Sequence, residues 1–182
     1  MSNEYHSPTS IHTADNEPRL INLRFALRKL LAKTALADIY RANDIHSATP
    51  DSPEKSVLVV LVTPTMVTQQ GFAQAWQQIL KRPAPPSAAY PEIISYGEND
   101  NEYWLALNNT NGELLSEQVR ELGESGLPMD SALDTLGKIN HILSGIQAGP
   151  FGYLEPGAIQ QTSNGYIILN APLVKVLQQL TT

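Results

Sequence analysis

Residues 20–43, "LINLRFALRKLLAKTALADIYRAN", decide the fold. Leu, Ala, Lys and Arg dominate the stretch, and on composition it is good helix material. The alternative is a pair of antiparallel strands joined near Lys33 and Thr34, and residue propensity does not choose between them. The segments that follow are clearer. Asp44–Lys55, "DIHSATPDSPEK", is a loop rich in Asp, Ser and Pro. Val57–Val62, "VLVVLV", is an apolar, mostly β-branched run bounded by turn signals on both sides. It reads as a strand buried on both faces.

Beyond that strand the periodicity changes. Gln70–Leu80 carries Phe72, Ala75, Trp76, Ile79 and Leu80 on one stripe at helical spacing, with glutamines opposite. "KRPAPPSAAYP" stops this helix, because proline cannot continue it. "EIISYGENDNEYWLALNN" then has two apolar runs around "GEND", the pattern of a β-hairpin. Residues 111–122 predict a short helix. "GLPMD" opens a longer one, in which Ala132, Leu136, Ile139, Leu143 and Ile146 recur at steps of four and three until Gly149-Pro150. "IQQTSNGYIIL" is a second hairpin with Asn164-Gly165 as its turn signal. Residues 1–18 are polar, with no apolar period, and read as a tail.

Composition narrows the function classes. The chain has 182 residues, 42% of them hydrophobic, which suits one folded domain or two small lobes. It has no cysteine, which excludes disulfides and thiolate chemistry. A net charge of -6 opposes a broad nucleic-acid footprint. The apolar runs are far shorter than the roughly 18 to 20 residues a membrane helix needs. "MSNEYHSPTS" lacks a secretory pattern, so the chain is expected to stay in the cytoplasm.

The order strand, strand, strand, helix, strand, strand, helix, helix, loop, hairpin carries a resemblance. From about Leu20 to Leu173 the chain resembles bacterial Ser/Thr protein kinases, without most of their C-terminal lobe. "LRKLLAKTALADIYRAND" is similar to the strand, glycine loop and strand that open a kinase. "YPEIISYGENDNEYWLALNNTNGELL" is similar to the fourth and fifth strands and the hinge. "GIQAGPFGYLEPGAIQQTSNGYIIL" is similar to the catalytic loop and the hairpin after it. The resemblance implies an α+β fold: a kinase-like N-lobe at 19–110, with an antiparallel sheet and one helix, and a truncated, mainly helical C-lobe at 111–182. It also resolves residues 20–43 in favour of strands.

The departures from the kinase pattern set the expectation for function. Kinase loops use glycines so that backbone N–H groups can approach phosphates. The matching positions hold Ala32, Thr34 and Ala37. The phosphate-side lysine falls at Val60, and the helix glutamate that would pair with it falls at Gln78 or Ile79. The positions for the base, the phosphate-side lysine of the catalytic loop and the metal-binding asparagine hold Tyr153, Glu155 and Ala158. The metal-binding aspartate falls at Asn170 or Ala171. A tyrosine with an ordinary pKa near 10 is no general base at neutral pH. Phosphoryl transfer rests on positioning and electrostatic stabilisation, which these side chains do not supply.

The expectation is therefore a pseudokinase-like module with no catalytic residues, no cofactor, no metal and no ATP, acting as a protein-binding adaptor or scaffold. Two alternatives stand beside it: a nucleotide-binding or atypical transferase that reuses Glu155 or Tyr153, and an acidic chaperone or adaptor for a secreted protein. Other chemistries fail on spacing. His6, His12, His46 and His141 have no metal-ligand pattern, and Glu98, Asp100 and Glu102 read as solvated turn residues. Trp76 and Trp104 read as core anchors. Five apolar side chains left open on the long helix would forgo on the order of 10 kcal/mol of burial. "VKVLQQL" is expected to cover part of that face, and a protein partner or a second copy the rest. The expected partner surface is Leu136, Ile139, Leu143, Ile146, Val176 and Leu177.

Overall fold

The computed structural model describes residues 18–49, 53–82, 87–123, 126–145 and 154–180. Residues 20–43 form strands. β1 (Leu20–Ile21), β2 (Phe25–Lys33) and β3 (Ala37–Asp44) are antiparallel neighbours, with Lys33 opposite Asp38 across the β2–β3 turn. Irregular register near Arg28 and Leu31 lets β2 bend. Context has overridden propensity here, because Phe25, Ile39 and Ala42 are fully buried only in the strand arrangement.

β4 (Lys55–Val62), β5 (Ile93–Asn99) and β6 (Glu102–Asn108) complete a six-stranded sheet in the order β1-β2-β3-β4-β6-β5. From Val57 to Val62 every residue of β4 is buried, as a strand covered on both sides requires. Leu58, Val60 and Val62 join the main core, whereas Val57, Val59 and Leu61 join a second cluster with Phe25 and Trp104. The curled sheet thus buries both its faces. The β5–β6 turn is Asp100-Asn101, both at positive φ, so β5 runs through Glu98 and Asn99 rather than stopping at "GEND". Gly97 is required in β5, since a Cβ there would lie 2.8 Å from the Trp104 ring.

Two helices cover the main-core side. α1 (Pro64–Val67) is a single turn, and α2 (Phe72–Leu80) begins at Gly71. Trp76 of α2 is fully buried, its ring 5.4 Å from Tyr103 and 5.8 Å from Phe72. After β6 the chain forms β7 (Glu113–Leu114), α3 (Leu115–Glu121) and α4 (Met129–Gly145). β8 (Ile159–Thr162) and β9 (Gly165–Ile168) form a three-stranded sheet with β7, and α5 (Ala171–Leu180) follows. The β8–β9 turn is Ser163-Asn164, and Gly165 already belongs to the return strand.

Two expectations need correction. The segment "VKVLQQL" lies in α5, which docks on α2 and does not cover α4. Its Val176 is fully buried and Leu177 nearly so, both in the main core, where they present nothing to a partner. Ile139 is likewise buried, in a third cluster with Leu115, Ile159 and Ile168. Leu143 is half-buried against that cluster. Of the helix face expected to be open, Leu136 is exposed, and Ile146, like Gly149-Pro150, lies outside the described residues. The polar tail at residues 1–18 lies outside them too, apart from Pro18.

One ion pair fixes the base of the sheet. Arg24 donates to Asp44 through Nε at 2.8 Å and Nη2 at 2.6 Å, and Asp44 is 3% exposed. The bidentate guanidinium holds the Asp44 carboxyl below its usual range. Because the folded state depresses this pKa, the pair's stabilisation is complete above the ordinary Asp value near 4 and fades as pH falls below it. Asp44→Asn should therefore cost about 2 kcal/mol at pH 7, with a much smaller difference from wild type near pH 2. Urea unfolding midpoints of both proteins across that range test this.

Candidate functional site

Of the positions that the resemblance aligns with a phosphate-transfer apparatus, Ala32, Thr34, Ala37, Glu155 and Ala158 lie where the β2–β3 turn meets the loop before β8. The turn is closed on itself. The Thr34 hydroxyl donates to the Ala37 carbonyl at 2.8 Å and accepts from the Ala37 N–H at 3.0 Å. Ala37 is fully buried and Leu36 nearly so. On the far side, Thr63 donates its N–H to the Leu36 carbonyl at 3.0 Å and its hydroxyl to the Ala35 carbonyl at 3.1 Å.

The opposing loop comes into direct contact. Pro156–Ala158 form one 3-10 turn, preceded by Glu155. The Ala35 N–H donates to Glu155 Oε1 at 2.8 Å, across 120 residues of sequence. Gly157 is buried, and a Cβ placed on it would lie 2.8 Å from the Ala32 side chain. The Ala35 N–H of the turn is thus already taken by a carboxyl group of the chain itself. An open groove of about 510 Å³ lies at this contact, lined by Ala32, Lys33, Val119, Arg120, Glu155 and Gly157 among others.

The remaining positions within the described residues are held by the surrounding structure. Val60 is fully buried between Ile39 of β3 and Leu105 of β6. Gln78 lies at the exposed edge of α2 and accepts a hydrogen bond from Gln179 of α5, linking the two helices. Ala158 is fully buried; its N–H donates to the Glu155 carbonyl and its own carbonyl accepts from the Leu169 N–H, both at 2.8 Å. Asn170 and Ala171 are fully buried, and the Asn170 carbonyl accepts from the Val174 N–H in the first turn of α5. Tyr153 lies outside the described residues. Among the described residues, no group of three or more His, Asp and Glu is placed to hold a metal ion.

The sequence reading missed Gln160. It is 2% exposed; its Nε2 donates to the Gly112 carbonyl at 3.0 Å and its Oε1 accepts from Thr110 at 3.0 Å. This side chain clamps the segment after β6 onto β8. Gly112 has to be glycine, since a Cβ there would lie 2.2 Å from the Gln161 carbonyl oxygen. β8 reads Ile-Gln-Gln-Thr, and nothing in that run sets the buried Gln160 apart from the exposed Gln161.

Glu155→Ala should release the Ala35 amide and cost about 1 kcal/mol, a typical value for one hydrogen bond to a charged group that stays partly solvated. Hydrogen exchange at Ala35 should accelerate about tenfold, while exchange in β4 slows or quickens only with global stability.

A curled antiparallel sheet carrying one main helix, a linking segment, helices and a small second sheet defines the kinase-like class of fold. Solved structures bear this out. The chain is similar to crystal structures of the PknI kinase domain from Mycobacterium tuberculosis: one with TM-score 0.56 and 18% identity, covering 79% of this chain and 57% of that domain. Another has TM-score 0.52 and 19% identity over the same shares. At such identity the likeness is one of fold, and the chain spans under three-fifths of those domains. No family profile matches the chain, and no curated protein does. Among the described residues, no helix is long and apolar enough to cross a membrane.

Proposed function

We propose that this chain is a non-catalytic, kinase-like module that works by binding protein. The observation that carries the reading is the direct seal between the two loops that would otherwise hold a nucleotide's phosphates. The Glu155 carboxylate occupies the Ala35 N–H, and Gly157 lies against Ala32. The side chains behind the seal are apolar or neutral: Val60 where a cation would face phosphate, Ala158, Asn170 and Ala171 where a metal would be held. An anionic triphosphate would have to displace the Glu155 carboxylate from the Ala35 N–H, and the cations within reach, Lys33 and Arg120, sit exposed at the groove's rim and not behind the contact.

Incubation of the chain with labelled Mg-ATP, alone and with a basic protein acceptor, tests the catalytic half of this reading. Label incorporation is expected to stay at the level of heat-denatured chain. Incorporation that saturates with ATP and is lost on heating would overturn it. The runner-up, a reused site that binds nucleotide, has the 510 Å³ groove and the exposed Lys33 and Arg120 at its rim in its favour. Equilibrium binding of labelled ATP, measured without acceptor, separates the two: saturable binding supports the runner-up, and its absence supports the first reading.

A further inference from the structure

Two Asn-Gly steps border the small sheet: Asn111-Gly112 just ahead of β7, and Asn164-Gly165 at the β8–β9 turn. An asparagine before glycine can react with its own backbone, because glycine has no Cβ to keep the following amide nitrogen away from the side-chain carbonyl carbon. The two steps share this chemistry. Their surroundings differ.

Gly112 is held in place. Its carbonyl accepts from Gln160 Nε2 at 3.0 Å, and a Cβ on it would lie 2.2 Å from the Gln161 carbonyl oxygen. On the other side of the step, the Asn111 N–H donates to Asn109 Oδ1 at 3.2 Å. The peptide unit between Asn111 and Gly112 therefore has no room to swing toward the Asn111 side chain. Asn164 is exposed, and nothing lies within 4 Å of the Cβ direction of Gly165. The Asn164 N–H donates to Thr162 Oγ1 at 3.2 Å, and the Thr162 hydroxyl donates to the Gly165 carbonyl at 3.1 Å. Among the described residues, nothing holds the Asn164 side-chain amide. The Thr162–Gly165 pair closes the hairpin, and breaking that one pair uncovers no apolar side chain, so the turn opens at low cost.

We propose that Asn164 is a deamidation site, at which the folded chain converts to aspartyl and isoaspartyl forms while Asn111 is spared. The Gly165 amide nitrogen, having lost its proton to hydroxide, attacks Cγ of Asn164. The bond from Cγ to the side-chain nitrogen breaks, and that nitrogen takes up a proton and leaves as ammonia. Water then opens the five-membered imide at either carbonyl. Opening at the side-chain carbonyl gives aspartate, and opening at the backbone carbonyl gives isoaspartate. Each event adds one negative charge to a chain of net charge -6. The isoaspartyl form also puts an extra carbon into the backbone of the turn. The far end of the hairpin is anchored independently, by the fully buried Ile168 and by the Leu169 N–H, which donates to the Ala158 carbonyl at 2.8 Å. The modified chain therefore keeps its fold, and the acidic form accumulates in solution.

Incubation of the full chain at 37 °C and pH 6, 7 and 8, followed by peptide mass spectrometry over days, tests this. In the folded chain, conversion at Asn164 should outpace that at Asn111 at least about tenfold. Its rate should rise about tenfold from pH 7 to pH 8, because the attacking nitrogen must be deprotonated and its pKa lies far above this range. In urea, where both steps are free, the two asparagines should react at similar rates. Isoelectric focusing should show an acidic band growing in wild type and absent in Asn164→Gln, whose longer side chain would have to close a six-membered ring. Equal conversion at the two asparagines in the folded chain would overturn the proposal. So would an Asn164 that reacts only in urea, a rate indifferent to pH, or an acidic band that Asn164→Gln leaves intact.

Discussion

Val60→Lys, which restores the cation a kinase would carry at this strand position, is expected to lose roughly 5 kcal/mol of stability rather than gain nucleotide binding. Val60 is fully buried, flanked across the sheet by Ile39 and Leu105. An ammonium there has no solvent. Asp44 is the buried carboxylate among the described residues, and Arg24 already holds it in the second core cluster's corner of the sheet. The new lysine would therefore fold only as the neutral amine, with its pKa pushed far below 10. Its folded pKa is depressed, so the loss should be largest at neutral and acidic pH and shrink as pH rises toward 10, where the unfolded chain also sheds the proton. Val60→Met, similar in length but uncharged, should lose under about 2 kcal/mol with no such pH trend. Urea unfolding of both variants at pH 6, 8 and 10 separates charge from packing.

Trp76→Ala should be about as damaging, at roughly 3 to 5 kcal/mol. The indole is fully buried and meets Tyr103 edge-on at 5.4 Å and 78°, while Phe72 meets the same tyrosine at 5.0 Å and 87°. Truncation would open a cavity between α2 and β6 in the main core, to which β3, β4 and α5 also contribute. Trp76→Phe should cost far less than alanine, because Trp76 Nε1 makes no hydrogen bond among the described residues, so the ring's polar edge contributes nothing that phenylalanine loses. A phenylalanine variant as unstable as the alanine one, by calorimetric melting, would show that this packing account is wrong.

How much the sequence disclosed follows from which interactions are local. β4 was legible because its apolar run has no polar face to hide. α2 was legible because its stripe has the helical period. Residues 20–43 were not, since a Leu- and Ala-rich stretch suits a helix by composition. In β3 the buried positions Ala37, Ile39, Ala42 and Asp44 break step between Ile39 and Ala42, where burial passes from the main core to the second cluster, and β2 buries its first three residues in a row and then turns outward. Only the likeness to kinases chose strands there. α4 shows the limit of periodicity: the stripe was visible, yet Ile139 faces inward while Met129, Leu133 and Leu136 face out. The docking of α5 on α2 was likewise hidden, because an apolar face does not name its counterpart.

The candidate site was half legible for the same reason. The side chains at Ala32, Val60, Ala158 and Asn170 can be read residue by residue. The contact between Glu155 and Ala35 cannot, since it joins a carboxylate to a backbone N–H that carries no sequence signature. That contact ties the two loops together beside an open groove.

Isothermal calorimetry of the full chain with Mg-ATP tests the closed site most directly. A ligand at one hundred times its dissociation constant would stabilise the fold by about 2.7 kcal/mol, so a melting curve at the same concentrations gives an independent reading. The account predicts no saturable heat and an unmoved melting temperature up to millimolar nucleotide. A one-to-one isotherm, matched by a rise in melting temperature and by loss of exchange protection at Ala35 as the seal opens, would contradict it.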